Sequence, residues 1–103
     1  MPSYGVSFEL ESNSTYSERY QSLMRQINIA QSNPAWDETT SFALVKTAET
    51  LEAFALRLYL KTLVSSATDI LLVFDPATGT AIARGPIKYP NLLGSHFRNF
   101  YLK

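Results

Sequence analysis

The chain has 103 residues, 46% hydrophobic and 13% aromatic, and its nine Lys and Arg balance nine Asp and Glu. That is enough for one folded domain with a modest core, and too apolar for a disordered segment. The absence of cysteine excludes disulfides, thiolate zinc sites and cysteine nucleophiles. No apolar run approaches membrane-spanning length, and Met1-Pro-Ser-Tyr4 lacks the basic start and apolar core of a signal peptide. A soluble, cytoplasmic protein with no membrane partner is expected.

Tyr4, Val6, Phe8 and Leu10 point one way and Gly5, Ser7 and Glu9 the other, the period of a half-buried strand. Polar turn formers follow from Glu11 to Ser14. Thr15 and Glu18 have capping-box spacing, and Tyr16, Tyr20, Leu23, Met24 and Ile27 form one helical stripe. Asn28 to Glu38 is a connection containing Asn33-Pro34, with a weak strand signal near Ala35 to Asp37. Thr39 to Thr47 reads as a strand through Phe42, Ala43, Leu44 and Val45. Thr47 is placed to cap a second helix, where Glu49 and Glu52 suit the dipole. Leu51, Phe54, Ala55, Leu58 and Tyr59 form its inner face, and Leu56, Leu60, Leu63 and Val64 widen the apolar arc.

Ile70 to Phe74 is continuously apolar, as a strand buried on both faces would be. Asp75 to Gly79 is turn chemistry, with Gly79 suited to positive φ, and Thr80 to Arg84 returns as a hairpin strand. Asp69 and Asp75 read as turn residues bracketing the buried strand. Beyond Gly85-Pro86 the pattern dissolves into a loop, one helical turn near Leu92-Leu93-Gly94, and an aromatic, basic ending from His96 to Lys103. The order β-α-β-(β)-α-β-β predicts an α+β sandwich of ferredoxin-like type, β-α-β-β-α-β with an extra C-terminal strand or arm. Residues 1–103 are expected to form a single ferredoxin-like domain with 86–103 as a C-terminal arm. The exposed sheet face or the last strand is then the natural homodimer surface.

Charge is unevenly spread. All nine acids lie at or before Asp75, against five Lys and Arg, a balance of −4; Arg84, Lys88, Arg98 and Lys103 then give +4. Such asymmetry marks a basic patch, a self-complementary contact, or a tail balanced by its neighbours. Tyr89, Phe97, Phe100 and Tyr101 interleave with Lys88, Arg98 and Lys103. Rings beside cations hold single-stranded nucleic acid; they also anchor an arm on a partner protein. Glu9 is the candidate catalytic acid, or a solvated residue on the strand's open face. His96, the lone histidine, has the chemistry of a general base but no partner in sequence to orient it.

Tyr4 to Leu10, Tyr20 and its helix, Thr40 to Thr47 and Thr68 to Phe74 together resemble small SinR-like and CRISPR-associated adaptation nuclease-like proteins. The first strand and helix, with the Phe97-Arg98-Asn99-Phe100-Tyr101 ending, are similar to the GhoS antitoxin endoribonucleases. These resemblances imply a ferredoxin-like homodimer. In the CRISPR-associated family an aromatic-Asp pair closes the first strand, and two such acids hold a divalent metal across the dimer. Phe8-Glu9 matches that pair, with a carboxylate one methylene longer, so the resemblance implies Glu9 as metal ligand and Mg²⁺ as cofactor. Arg84, Lys88, Arg98 and Lys103 would contact the phosphates of RNA or DNA, with endoribonuclease activity implied. The alternative expectation is a non-catalytic interaction module, an antitoxin-like or regulatory dimer that binds a toxin or another protein.

Overall fold

Every residue from Met1 to Lys103 is described by a computed structural model. The alternating segment becomes β1 (Ser3–Glu9) and buries Tyr4, Val6 and Phe8 on one side. β2 (Phe42–Lys46) and β3 (Ile70–Asp75) flank it, and β3 turns through Gly79 into β4 (Thr80–Arg84). Gly79 has φ +70°, as the turn requires. The last strand is β5 (Asn99–Leu102), and the sheet order is β2-β1-β3-β4-β5. β1, β2, β3 and β4 are mutually antiparallel neighbours, whereas β5 runs parallel to β4.

Two helices, α1 (Tyr16–Ala30) and α2 (Leu51–Leu60), cover one face of this sheet. Leu23 and Ile27 of α1 and Phe54, Ala55, Leu58 and Tyr59 of α2 pack in a single core. Opposite them lie Tyr4, Val6, Ala43, Val45, Leu71, Val73 and Ile82. The Phe54 ring stacks on Tyr4 at 5.8 Å between centroids. The Tyr59 hydroxyl reaches across to the Ile82 carbonyl at 2.9 Å, which satisfies it in the core.

The molecule is thus mixed α+β, but its sheet differs from the ferredoxin-like arrangement expected from the sequence. Between α1 and β2 no full strand forms. What remains is two isolated bridges, Gln31 with Thr47 and Trp36 with Leu44, the second exchanging hydrogen bonds of 3.0 and 2.9 Å. Pro34 removes a backbone donor beside it, and three residues offer little to pair. β2 and β3 both run antiparallel to β1, which lies between them, so β2-α2-β3 is a split βαβ unit. β4 and β5 then extend the sheet beyond β3.

Two helix starts also differ from expectation. Thr15 makes no side-chain cap to α1; its hydroxyl donates to Asn13 Oδ1 at 2.9 Å and accepts from Arg19 Nε at 3.2 Å. The cap of α2 is Thr50, which accepts from the Ala53 amide at 3.1 Å, while Thr47 is wholly buried. The helix ends at Leu60, before the Leu63-Val64 extension of its apolar arc.

The second sheet face is partly dressed. Residues 86–98, including the short helix α3 (Pro90–Gly94), cross it between β4 and β5. As a result β3 is fully buried only at Leu71 and Val73, and Ile70, Leu72 and Phe74 are half-exposed. No helix is long and apolar enough to cross a membrane.

Candidate functional site

Glu9 is the last residue of β1, in register with Ile70 on the partly dressed face. Its side chain is exposed and forms no ion pair; the two ion pairs in the molecule are Arg19–Asp69 and Arg57–Glu49. Glu9 forms the shared wall of two adjoining clefts. One, about 570 Å³, runs between β1, the Thr40-Ser41 loop and the 86–94 segment. The second carries Glu11, Ser12, Thr68 and Pro86.

Nowhere do three or more His, Asp or Glu side chains converge as metal ligands. Around Glu9 the other oxygens in the first cleft include the hydroxyls of Ser7, Thr40 and Ser41, with no second acid. Mg²⁺ demands a near-octahedral shell anchored on carboxylates and phosphates. The residues of one chain do not supply it, so no metal-dependent step is assigned to Glu9. His96 is exposed, and its backbone amide bonds to the Leu93 carbonyl at 3.2 Å.

The four C-terminal cations do not gather. Arg84 turns toward the helices, 5.3 Å over the Tyr59 ring. Lys88 lies 5.4 Å over the Tyr89 ring in the crossing segment. Lys103 donates its amide to the Ala83 carbonyl at 2.8 Å, at the Arg84 end of β4, whereas the Arg98 amide bonds to Gly79 at 2.8 Å, at the other end. The length of β4 separates them, roughly 16 Å at 3.3 Å per residue.

The aromatics do gather. Trp36, Phe42, Phe74, Phe97 and Phe100 form a continuous row across the partly dressed face, with successive ring centroids 6.4, 6.2, 5.8 and 6.3 Å apart. Phe74 lies flat over Gly5, where a Cβ would stand 2.3 Å from the ring. Trp36 is 42% exposed at one end of the row. Sequence periodicity missed this row because its members come from a loop, two strands and the C-terminal arm.

The two sheet edges differ. The outer side of β2 is sealed by the Trp36 bridge and by the Ser32 amide, which donates to the Lys46 carbonyl at 2.8 Å. β5 is bare. The Asn99 and Lys103 amides bond to Gly79 and Ala83 of the β4 side at 3.2 and 2.8 Å. Backbone groups alternate along a strand, so the amides and carbonyls of Phe100 and Leu102 face outward. Tyr101 and Leu102 are 50% and 56% exposed there.

Asp69, expected in a turn, instead centres a polar cluster beneath the β1–α1 loop. Asp69 is buried, and its Oδ1 accepts from Arg19 Nη1 at 2.5 Å and from the Glu11 amide at 2.8 Å. Its Oδ2 accepts from the Ser65 amide at 2.8 Å. Arg19, also buried, donates onward to the Glu11 carbonyl and to Asn13 Oδ1. Burial pushes the Asp69 carboxyl up, but the Ser65 and Glu11 amides and the Arg19 guanidinium outweigh it and hold it below its ordinary value. The signal was available: Arg19 falls three residues after Tyr16 and four before Leu23, on the inward arc of the helix. With all three guanidinium nitrogens hydrogen-bonded to the fold, Arg19 is a tie between two loops. No family model, curated protein or solved structure matches the chain.

Proposed function

We propose that this protein is a non-catalytic interaction module that binds an extended segment of an acidic partner along β5. The bare β5 edge carries the reading. Unpaired backbone groups at Phe100 and Leu102 are a template for strand addition, and the opposite edge is sealed. Arg98 and Lys103 bracket the strand. An antiparallel self-pairing centred on Tyr101 would set Lys103 opposite Asn99 and gain no charge complement, whereas acids flanking an incoming strand would meet the cations at both ends of β5. The split βαβ unit and the Gln31 and Trp36 bridges support a ferredoxin-like ancestry in which one strand has shrunk to two isolated pairs.

The test is a fluorescein-labelled octapeptide of alternating valine and threonine with glutamate at both ends, followed by anisotropy. Saturable binding is expected, and Leu102→Pro should abolish it: this removes an outward amide without breaking a bond to β4. A basic-ended peptide that binds equally well would overturn the reading, as would full binding by Leu102→Pro. A stable homodimer that Leu102→Pro dissolves would replace the acidic partner with a second copy.

The aromatic row favours one second reading, a platform for single-stranded RNA. Stacking contributes about 1–3 kcal/mol per base, and Arg98 stands at one end of the row. Zero net charge and scattered cations weaken the phosphate term. Trp36 is the only tryptophan, so quenching of its fluorescence by oligouridine at low salt would favour RNA over the acidic strand.

A further inference from the structure

The cleft between Glu9 and the crossing segment has a chemistry that neither docking surface uses. Its floor and far wall are aliphatic, made by Ile70 and Leu72 of β3 and by Ile87 and Leu93 of the crossing segment. Its one charge is the Glu9 carboxylate, and hydroxyls from Ser7, Tyr16, Thr40 and Ser41 line the same space. The adjoining cleft adds Glu11. No lysine or arginine lines either cleft, and Glu9 belongs to neither ion pair. About 570 Å³ is within the range of small-molecule sites, which combine an apolar lining with a few placed polar groups.

We propose that this cleft binds a linear aliphatic amine in its ammonium form, with the charged head at Glu9 and the alkyl stem against Ile70, Leu72, Ile87 and Leu93. An ammonium has three donors and no acceptor. The carboxylate takes one or two, and the neighbouring hydroxyl oxygens accept the rest. An anionic ligand would meet two carboxylates with no cation to offset them. A neutral alcohol would gain the apolar contact but leave Glu9 without a counter-ion. The stem matters because a bare cation is held only weakly at an exposed acid, where water screens the attraction.

The probe is n-hexylammonium chloride, titrated into the full chain while backbone amide NMR shifts are followed, with n-hexanol and hexanoate as controls. Saturable shifts are expected at Ser7, Glu9, Ile70 and Leu72, with hexanol at least tenfold weaker and hexanoate inert. Glu9→Gln should weaken hexylammonium at least tenfold, while Glu11→Gln changes it less than threefold. Glu9 is exposed, so an unchanged urea midpoint verifies that Glu9→Gln folds. Leu72→Thr, which shortens the apolar wall, is a second variant and should weaken binding without altering the preference for the ammonium. Equal binding by Glu9→Gln, equal binding of hexanol, or no saturation would overturn the proposal. Nα-acetyl-lysinamide binding more tightly than hexylammonium would overturn a free amine as the occupant.

Discussion

Asp69 is a buried charge with four donors around it, and removing it leaves Arg19 buried without its counter-ion. Breaking such a pair by truncating one partner costs about 3–5 kcal/mol. Asp69→Ala is expected to lose that much, read as a lower urea midpoint at unchanged slope. The pH dependence follows from the lowered carboxyl. Its stabilisation is fully present above the ordinary value of 3.8 and drains away as pH falls through the lower folded value. At the other extreme, burial raises the Tyr59 hydroxyl far above its ordinary 10.0, against a smaller opposing pull from Arg84. Its contribution is intact below pH 10 and is lost as pH climbs above it, because only the unfolded chain ionises there. Thermal melts from pH 2 to 12 should fall at both ends, and Tyr59→Phe should flatten the alkaline limb. Gly85 has φ +117°, and a Cβ there would stand 2.0 Å from the Asp69 carbonyl oxygen. Gly85→Ala should therefore cost about 1–3 kcal/mol or more by the same urea measurement.

Among the elements, those with a strong period were legible and those fixed by distant partners were not. β1, α1 and the β3–β4 hairpin follow from alternation, a helical stripe and the turn at Gly79. The caps were misread because Thr15 and Thr47 have the right spacing but other partners: Arg19 and Asn13 take the Thr15 hydroxyl, and the core takes Thr47. β5 reads as an aromatic tail because it alternates over only four residues, Asn99 to Leu102. Its parallel partner lies across a long crossing segment, and no local rule links the two. The candidate site was half legible. Glu9 was visible as an isolated acid, whereas the cleft beside it needs Ile87 and Leu93 to return over β3. At this scale Tyr101→Pro and Leu102→Pro should part company. The first breaks the ladder to β4 and should release β5; the second should leave the β4 amides protected in hydrogen exchange.

Across the whole molecule, protection should fall from the middle of the sheet outward. Val6 and Val73 are fully buried in strands paired on both sides, while β5 is paired on one side and mostly exposed. Hydrogen exchange should therefore be slowest at Val6 and Val73, and faster at Phe100 and Leu102 than anywhere else in the sheet. Uniform protection across all five strands would contradict this gradient. The expectation of mixed α+β was legible because periodicity reports which faces are apolar. The strand order was not, because it depends on which apolar faces meet. The sealed β2 edge also sets an arithmetic for assembly. A sheet with two free edges can pass strands along and grow without limit, but this one has a single vacancy. Once β5 has been matched, nothing remains to match, so strand addition along the sheet stops at one partner per chain.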